Sequence, residues 1–251
     1  MIKREELLIL RSTLIAIDTI EMVLKNKYIS KVAIHGQFLH ISVPNFTLRR
    51  PISIADIDRE AQTVTIIFKI IGSGTKQLAT YQPGMTLNAL GPNGNGFEEN
   101  NNQDSTVLLI GGGVGVPPLH FLGKSLVKKN VNVISILGYQ TAKNVFYERE
   151  FQKFGKTYIV TNDGSYGEKG FVTDIIEQVG NFDHYYSCGP LPMLQAVTKK
   201  LAHKPGFISL EERMGCGVGA CFACVIPIDD KGGYKKICLD GPVFSAQEVR
   251  I

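Results

Sequence analysis

Four cysteines near the carboxyl end constrain this chain more than any other feature of its sequence. They are Cys216, Cys221, Cys224 and Cys238, separated by four, two and thirteen residues. Small residues around the first two, among them Gly217 and Gly219, leave room for a sharp turn and for backbone N–H groups to approach sulfur. Such a loop can supply three thiolates while a later segment supplies the fourth. The pattern therefore predicts a metal centre with four thiolate ligands.

The spacing also discriminates between metals. Gaps of four and two residues, with a distant fourth cysteine, are the spacing of plant-type 2Fe–2S sites. Structural zinc more often uses paired Cys-x2-Cys knuckles, and the sequence offers one such pair, Cys221 and Cys224, which leaves zinc as the weaker alternative. A fifth cysteine, Cys188, makes the count odd, which argues against a disulfide framework in a chain without a secretion signal.

The 251 residues fall into three segments of different texture. Residues 1–99 consist of short alternating runs separated by glycine and proline, which predicts an antiparallel barrel. Residues 104–205 alternate strand-like and helix-like runs, which predicts a doubly wound parallel α/β sheet, and the Asn-rich stretch 94–103 before them reads as a linker. Residues 209–251 contain too little apolar sequence for a core of their own, so the metal centre would stabilise them as a small domain.

Within the second segment the individual elements can be predicted. Leu119, Leu122 and Leu126 fall on one face of a helix, and Pro190 with Pro192 opens another. Strands are expected at 107–110, 131–137, 158–161 and 184–188, and further helices at 146–154 and 171–179.

Composition excludes some classes of function. The net charge of +4 is mild and spread along the chain, so nucleic acid is not an expected partner. No apolar run approaches the roughly 20 residues that span a bilayer. The stretch 7–20 is interrupted by Arg11 and Asp18 and lacks a small-residue cleavage site, so it is not read as a signal peptide. We expect a cytoplasmic protein.

A glycine-rich turn follows the predicted strand at 107–110. A strand, a glycine turn and a helix N-terminus form a cradle for phosphate, although a tight strand–helix turn without a ligand is the alternative. Ser187-Cys188-Gly189-Pro190 ends a later parallel strand at the same edge of the sheet, which places Cys188 near a nicotinamide ring as a tentative catalytic residue; a small buried hydrophobic residue is the alternative. The expected NAD-binding residues are Gly111, Gly112, Gly113, Gly115, Cys188, Gly189 and Pro190.

A third motif, Arg49-Arg50-Pro51-Ile52-Ser53-Ile54, lies in the barrel segment. The guanidinium of Arg50 could pair with a pyrophosphate and the Ser53 hydroxyl could face a flavin ring atom. An edge strand with solvated arginines is the alternative.

Taken in this order, the three motifs resemble the ferredoxin–NADP reductase superfamily, and more narrowly the electron transfer subunits of dihydroorotate dehydrogenase B. The similarity covers essentially the whole chain, and 214–224 followed by Asp240-Gly241-Pro242-Val243-Phe244 is especially characteristic. The resemblance implies cluster ligands at the four carboxyl-terminal cysteines. It also implies FAD against Arg50, Pro51, Ile52, Ser53, Ile67, Phe68, Lys69, Gly74 and Thr75. Relatives often carry arginine where this chain has Lys69, and lysine offers no fork to phosphate.

The resemblance further implies a partner, the FMN-containing catalytic subunit of dihydroorotate dehydrogenase, in a heterotetramer of two plus two. Electrons would pass from dihydroorotate at the FMN through the 2Fe–2S cluster and FAD to NAD, in de novo pyrimidine synthesis. Flavin suits the middle position because it exchanges electrons singly or in pairs. Two alternatives remain: a reductase subunit of another flavin and iron–sulfur enzyme, such as a hydrogenase or oxygenase, and a non-enzymatic redox sensor.

Overall fold

The computed structural model describes residues 1–99, 105–228 and 233–251. The predicted linker at 94–103 and the predicted start of the second domain at residue 104 therefore lie partly outside the described residues. None of the helices formed by the described residues has the length and apolar character needed to cross a bilayer.

Six antiparallel strands close into a barrel, as the sequence predicted. In order around the barrel they are β1 (Lys3–Ala16), β2 (Thr19–Lys25), β5 (Thr63–Lys69), β4 (Arg50–Asp58), β3 (Phe38–Ile41) and β6 (Thr86–Asn93). Two short helices, α1 (Lys27–Val32) and α2 (Ser73–Leu78), lie in the connections. Alternate residues of each strand point inward, so the barrel core is built from side chains such as Met22, Leu24 and Ile66, all fully buried.

A seven-stranded sheet forms the second layer. Its strands, in spatial order, are β10 (Glu168–Lys169), β9 (Gly155–Thr161), β8 (Asn132–Tyr139), β7 (Thr106–Gly112), β11 (His184–Cys188), β12 (Gly206–Ser209) and β15 (Val243–Ser245). All neighbours are parallel except β12 and β15. The order reverses between β7 and β11, and ligands of such sheets bind at that reversal, outside the carboxyl ends of the strands.

Helices cover both faces of this sheet, so it is doubly wound. Helix α3 (Val116–Lys128) buries Leu119, Leu122 and Leu126 against one face, on the side to which Val107 and Leu109 point. Helix α5 (Leu191–Lys200) packs on the other face, against the side of β7 that carries Leu108 and Ile110. Prolines in the first turn of both helices cost nothing there, because the N–H groups at those positions have no partner within the helix.

Two predicted helices are shorter or of another kind. The helix expected at 146–154 is α4 (Glu148–Gln152), because Tyr147 has a left-handed backbone (φ 63°) and the helix begins only after it. The prediction of a helix at 171–179 is wrong: two separate 3-10 turns, Val172–Asp174 and Ile176–Gln178, lie there. Local periodicity did not reveal either interruption.

The carboxyl-terminal segment packs onto the sheet. Strand β15 adds an antiparallel edge to β12, and β13 (Val225–Pro227) pairs with β14 (Tyr234–Lys236) above it. Met214, Ile226, Ile237 and Phe244 share one apolar core with the α5 side of the sheet. The segment thus obtains from its neighbour the core that its own composition lacks.

Candidate functional site

The four cysteines of the carboxyl-terminal segment lie together. The N–H groups of Cys216 and Cys221 each donate to the other residue's Sγ, and Cys238 lies close enough to Cys224 and Cys216 to interact electrostatically with both. The Ile237 N–H donates to the Cys224 carbonyl at 2.9 Å, which holds the strand before Cys238 against the loop. Within the described part of the chain, no group of three or more His, Cys, Asp or Glu side chains has an arrangement that could hold a single metal ion.

Backbone N–H groups point at the sulfurs of this group. The N–H groups of Val218 and Cys221 donate to Cys216 Sγ at 3.5 and 3.3 Å, and the Gly219 N–H donates to Cys238 Sγ at 3.2 Å. Burial raises the pKa of the Cys216 thiol, but these amide donors and the neighbouring Cys221 thiol outweigh it and lower the pKa to about 6. Four thiols with amide donors fit a cluster held by four thiolates, since such donors stabilise sulfur-centred negative charge.

A cleft of about 450 Å³ runs along the outside of the barrel, between the barrel and the segment after β12. Nearly all of the residues expected to bind FAD line it: Arg50, Pro51, Ile52, Ser53, Ile67, Phe68, Lys69 and Thr75. The opposite wall comes from Ser209 to Met214 and from Val114. Strand β4 is paired with β3 at Pro51, whereas its pairing with β5 begins at Ile54, so the missing N–H of proline lies on an unpaired side.

Gly74, the remaining residue expected to bind FAD, does not line the cleft but packs against the guanidinium of Arg50, which does. A β-carbon at Gly74 would lie 2.3 Å from Arg50 Nη2, so only glycine lets the guanidinium lie across helix α2. The guanidinium also donates to the Leu48 carbonyl and lies 4.8 Å from the centre of the Phe46 ring. These contacts hold a positive charge at the mouth of the cleft, where an anionic phosphate could pair with it.

A second cavity, of about 710 Å³, opens at the carboxyl ends of β7, β8 and β11. Of the residues expected to bind NAD, Gly112, Gly113 and Pro190 line it, and Met193 and Phe146 add apolar walls. Gly111, Gly115, Cys188 and Gly189 do not line it. They contribute to the packing of the strand ends instead. A β-carbon at Gly115 would lie 2.2 Å from the Cys188 carbonyl oxygen, so glycine allows the turn after β7 to contact the end of β11.

The structure places Cys188 behind the cavity wall. Its side chain is fully buried. Burial, together with the negative charge of Glu211, raises the pKa of the Cys188 thiol well above its ordinary value, although a hydrogen bond with Ser209 opposes this. The thiol is therefore neutral at physiological pH. Its nicotinamide-contacting role stays a prediction.

The two cavities meet. Four residues line both of them: Lys69, Ile71, Val114 and Glu211. A planar ring bound in one cavity and a ring bound in the other would face each other across this junction. Lys69, expected on the flavin side alone, thus reaches both spaces.

Glu211 was missed by the sequence reasoning. Its side chain is open to the two cavities, yet protein surrounds it so closely that lost hydration raises the pKa of the carboxyl to about 7. A carboxyl group that changes charge near neutral pH beside two ligand spaces is suited to respond to the charge of a ligand. One signal could have revealed it: Glu211 follows the carboxyl end of a parallel strand, β12, where ligand-contacting residues concentrate.

Comparison with known sequence families agrees with this arrangement. Residues 211–250, which include the four cysteines of the carboxyl-terminal segment, match the iron-sulfur cluster binding domain of dihydroorotate dehydrogenase B. Residues 109–199 match the oxidoreductase NAD-binding domain and include the glycine turn and Cys188.

Individual proteins resemble the chain over nearly its full length. It is 49% identical over 255 residues to the dihydroorotate dehydrogenase B (NAD(+)) electron transfer subunit of Geobacillus sp. (strain WCH70), covering 99% of each chain. The same subunit of Bacillus velezensis is 49% identical and covers 99% of this chain and 100% of its own length.

Two solved structures show how far the fold extends. The NADH-dependent reduced ferredoxin-NADP oxidoreductase involved in flavin-based electron bifurcation superposes with a TM-score of 0.89 at 30% identity, over 97% of this chain and 89% of its own. A ferredoxin NADP+ reductase from Neisseria gonorrhoeae with bound FAD and NADP shares the fold alone, with a TM-score of 0.69 at 16% identity, over 80% of this chain and 91% of its own.

Proposed function

This chain belongs to the family of electron transfer subunits of dihydroorotate dehydrogenase B (NAD(+)), and on that premise we propose which of its parts carries each step. It is an oxidoreductase subunit that conveys electrons from dihydroorotate oxidation to NAD+ in de novo pyrimidine synthesis. Its cofactors are a 2Fe–2S cluster, FAD and NAD. We assign FAD to residues 1–99, NAD to 104–205 and the cluster to 209–251.

FAD is proposed to occupy the cleft along β4 and β5. Arg50, fixed by Gly74 and Leu48, supplies the positive charge for its pyrophosphate, and Ser53 supplies a hydroxyl toward its ring. Flavin exchanges electrons singly or in pairs, which is the chemistry that connects a hydride acceptor to a one-electron cluster.

The nicotinamide nucleotide is proposed to occupy the second cavity, with its phosphates at the glycine turn before α3. Gly112 and Gly113 bring the backbone to the cavity surface, and the N-terminus of α3 favours an anion there. Ile71 and Val114, which line both cavities, give the junction an apolar part beside the charged Lys69 and Glu211. Glu211, as a carboxylate, would favour the positively charged oxidised nicotinamide.

Cys216, Cys221, Cys224 and Cys238 are the proposed cluster ligands. The amide N–H groups of Val218, Gly219 and Cys221 would stabilise the more negative, reduced form of the cluster and so raise its reduction potential.

A single observation carries this assignment: a cleft on the barrel and a cavity on the sheet share Lys69, Ile71, Val114 and Glu211. Hydride transfer requires the two reacting rings to be in contact, since the reacting atoms must lie about 3–3.5 Å apart. Two ligand-binding spaces that share four lining residues are adjacent, and adjacent spaces permit that contact.

The partner is proposed to be the FMN-containing catalytic subunit, in a heterotetramer of two plus two. The exposed apolar side chains around the cysteine loop include Val218 (42%), Phe222 (63%) and Leu239 (50%). Exposed apolar residues grouped at a redox loop are suited to exclude water from a protein–protein interface. Lys236, which lies 4.4 Å from the centre of the Phe222 ring, adds a positive charge to this rim.

A second candidate, a reductase subunit of a different enzyme, is favoured by one comparison, the similarity to the bifurcating ferredoxin-NADP oxidoreductase. The chain is 49% identical to a dihydroorotate dehydrogenase B subunit and 30% identical to this oxidoreductase, so the second candidate function is the weaker one.

The proposal is tested on anaerobically purified protein by its absorption spectrum and by assays of iron, acid-labile sulfide and flavin. We expect two irons, two sulfides and one FAD per chain, together with NADH-dependent reduction of a dye. Co-purification with an FMN protein that oxidises dihydroorotate, at a mass corresponding to two copies of each chain, would support the partner assignment. Colourless protein, or zinc in place of iron, would overturn the cluster assignment.

A further inference from the structure

His40 occupies an unusual position for a histidine. It lies in β3, where Leu39 and Ile41 point into the barrel core and where Phe38 and His40, alternating with them, point to the opposite side of the strand. The side chain of His40 is nonetheless fully buried. Something outside the barrel must therefore cover it.

The face that carries His40 is the face that forms the flavin cleft. Phe38 pairs with Ser53 and His40 pairs with Pro51 across the strands β3 and β4, and paired residues share a face. Phe38, Ser53 and Pro51 all line the cleft. His40 is on the same face but does not line the cleft. Another segment of the chain must therefore cover it.

That segment is the cysteine loop. A β-carbon at Gly217 would lie 2.2 Å from Nδ1 of His40 and 2.7 Å from Cε1, so the imidazole packs directly on the backbone of Gly217. Gly217 has a φ of +70°, a conformation that glycine adopts at little cost. It follows Cys216, and the next amide, that of Val218, donates to Cys216 Sγ. The ring thus faces the loop at its sulfur-bearing turn.

Among the residues that the structure describes, neither ring nitrogen of His40 has a hydrogen-bond partner. Arg49 donates to the backbone carbonyl of His40 at 3.1 Å and leaves the ring unpaired. A buried polar group without a partner is energetically unfavourable, so native proteins rarely leave one unsatisfied. An imidazole with two such nitrogens, closed off by a metal-binding loop, indicates that its partner belongs to the group the loop binds.

The charge state agrees with the role of a neutral donor. Burial, and then the positive charges of Arg49 and Arg50, lower the pKa of His40 to about 4, although the polar backbone of Arg49 near the ring opposes this. The neutral imidazole carries one N–H donor.

We propose that the His40 imidazole donates an N–H hydrogen bond to a sulfur of the iron–sulfur group held by Cys216, Cys221, Cys224 and Cys238, and thereby raises the reduction potential of that group. This inference rests on the proposed function. A donor to sulfur stabilises the reduced cluster, which carries one more negative charge than the oxidised cluster. His40 is a positioning and tuning residue rather than a ligand, and it connects the flavin-binding face of the barrel to the cluster.

The test compares three variants of the full chain. His40→Phe keeps the ring shape and removes the donor, His40→Gln keeps an N–H donor, and His120→Phe alters a half-buried histidine on α3, away from the cysteine loop. Iron and sulfide content, the EPR spectrum of the reduced cluster, and the midpoint potentials of cluster and flavin are measured for each. We expect His40→Phe to retain iron and to shift its cluster equilibrium about tenfold toward the oxidised form, about 59 mV for one electron. The His40→Gln variant should recover part of this shift, and His120→Phe should show none.

An unchanged cluster potential and EPR spectrum in an iron-replete His40→Phe variant would overturn the inference, and so would a shift confined to the flavin. Because that variant could fail to assemble the cluster, the unaltered protein supplies a second test. With 15N-histidine, pulsed EPR of its reduced cluster should detect coupling to a histidine nitrogen, and the absence of coupling would overturn the inference. Loss of the proposed function itself would be recognised separately, as unaltered protein without iron.

Discussion

Gly74 lies directly beneath the guanidinium of Arg50, with space for a hydrogen atom and for nothing larger. Alanine normally favours a helix over glycine, so Gly74→Ala should stabilise helix α2 while displacing Arg50. We expect the affinity for FAD to fall roughly tenfold, because one charge-assisted hydrogen bond contributes about 1.5 kcal/mol. Gly72→Ala is the matched control, since a β-carbon at Gly72 meets no atom within 4 Å. Equal FAD affinity in the two variants, measured by fluorescence titration of deflavinated protein, would refute the assignment of Arg50.

Cys238 comes from outside the loop that holds the other three cysteines, so its removal separates the cluster from the flavin. Cys238→Ser should lose the visible cluster absorption and most of its iron while FAD remains bound, because the FAD cleft has no wall at Cys238. Cys188→Ser serves as the control and should keep its iron. Iron content in Cys238→Ser equal to that of the unaltered protein would show that Cys238 is not a ligand.

Glu211 predicts a pH dependence of NAD+ binding. The pKa of its carboxyl is raised to about 7 by burial, so the group is mostly protonated at pH 6 and mostly charged at pH 8. The oxidised nicotinamide ring is positive, and about 1 kcal/mol of attraction corresponds to roughly fivefold tighter NAD+ binding at the higher pH. NADH binding should vary less, because the reduced ring is neutral. The Glu211→Gln variant should bind NAD+ with one affinity across this range; if it retains the full pH dependence, another group is responsible.

Glu99 joins the barrel segment to the nucleotide domain. Its carboxylate is paired with His35 of the barrel segment, accepts a hydrogen bond from Ser125 Oγ at 2.7 Å and lies 2.5 Å from Lys129 Nζ. Burial alone would raise its pKa, but these partners lower the pKa to about 2. The stabilisation is therefore fully present well above the unfolded-state pKa of about 4.3 and is lost as the pH falls through the folded-state value.

Replacement of Glu99 by glutamine should accordingly destabilise the protein by roughly 1–3 kcal/mol at pH 7. The difference in melting temperature from the unaltered protein should shrink between pH 4 and pH 2. Glu60→Gln, a change at an exposed residue, provides the control and should shift the melting temperature little at any pH. A Glu99→Gln variant that melts with the unaltered protein at pH 7 would contradict the proposed role of this ion pair.

Phe222 is the most exposed of the three apolar rim residues, at 63%. Phe222→Ser should leave the iron and FAD content and NADH-dependent dye reduction unchanged, because the side chain lines neither cavity. Binding of the catalytic subunit, measured by size-exclusion chromatography or calorimetry, should weaken by about 1–2 kcal/mol or more, as is typical of a truncated aromatic interface residue. Leu14→Ser, which changes an apolar side chain of similar exposure, 64%, on strand β1 of the barrel and outside both cavities, is the control for the interface. Undiminished binding by Phe222→Ser would place the interface elsewhere.

Much of the fold could be predicted because its signals are local. The strand at 107–110, the leucines of α3 and the glycine turn after β7 each lie within a few neighbouring residues, and each is found where expected. The predictions at 146–154 and 171–179 failed in different ways. Tyr147 has a left-handed backbone that its residue type does not indicate, and the residues after Phe171 form two separate 3-10 turns instead of one helix.

The amino-acid sequence by itself determined which chemical groups are available: four thiols at iron–sulfur spacing, a glycine turn after a strand and an arginine ahead of Pro51. The residues of each of these motifs are close together in the sequence. The short segment between them therefore limits the distance between their side chains. Only the tertiary structure decided that Glu211 opens onto both cavities and that His40 lies beneath Gly217. Such contacts join residues far apart in the chain. Strand register and the docking of one domain on another produce them, and both depend on the sum of many weak packing interactions rather than on any local pattern.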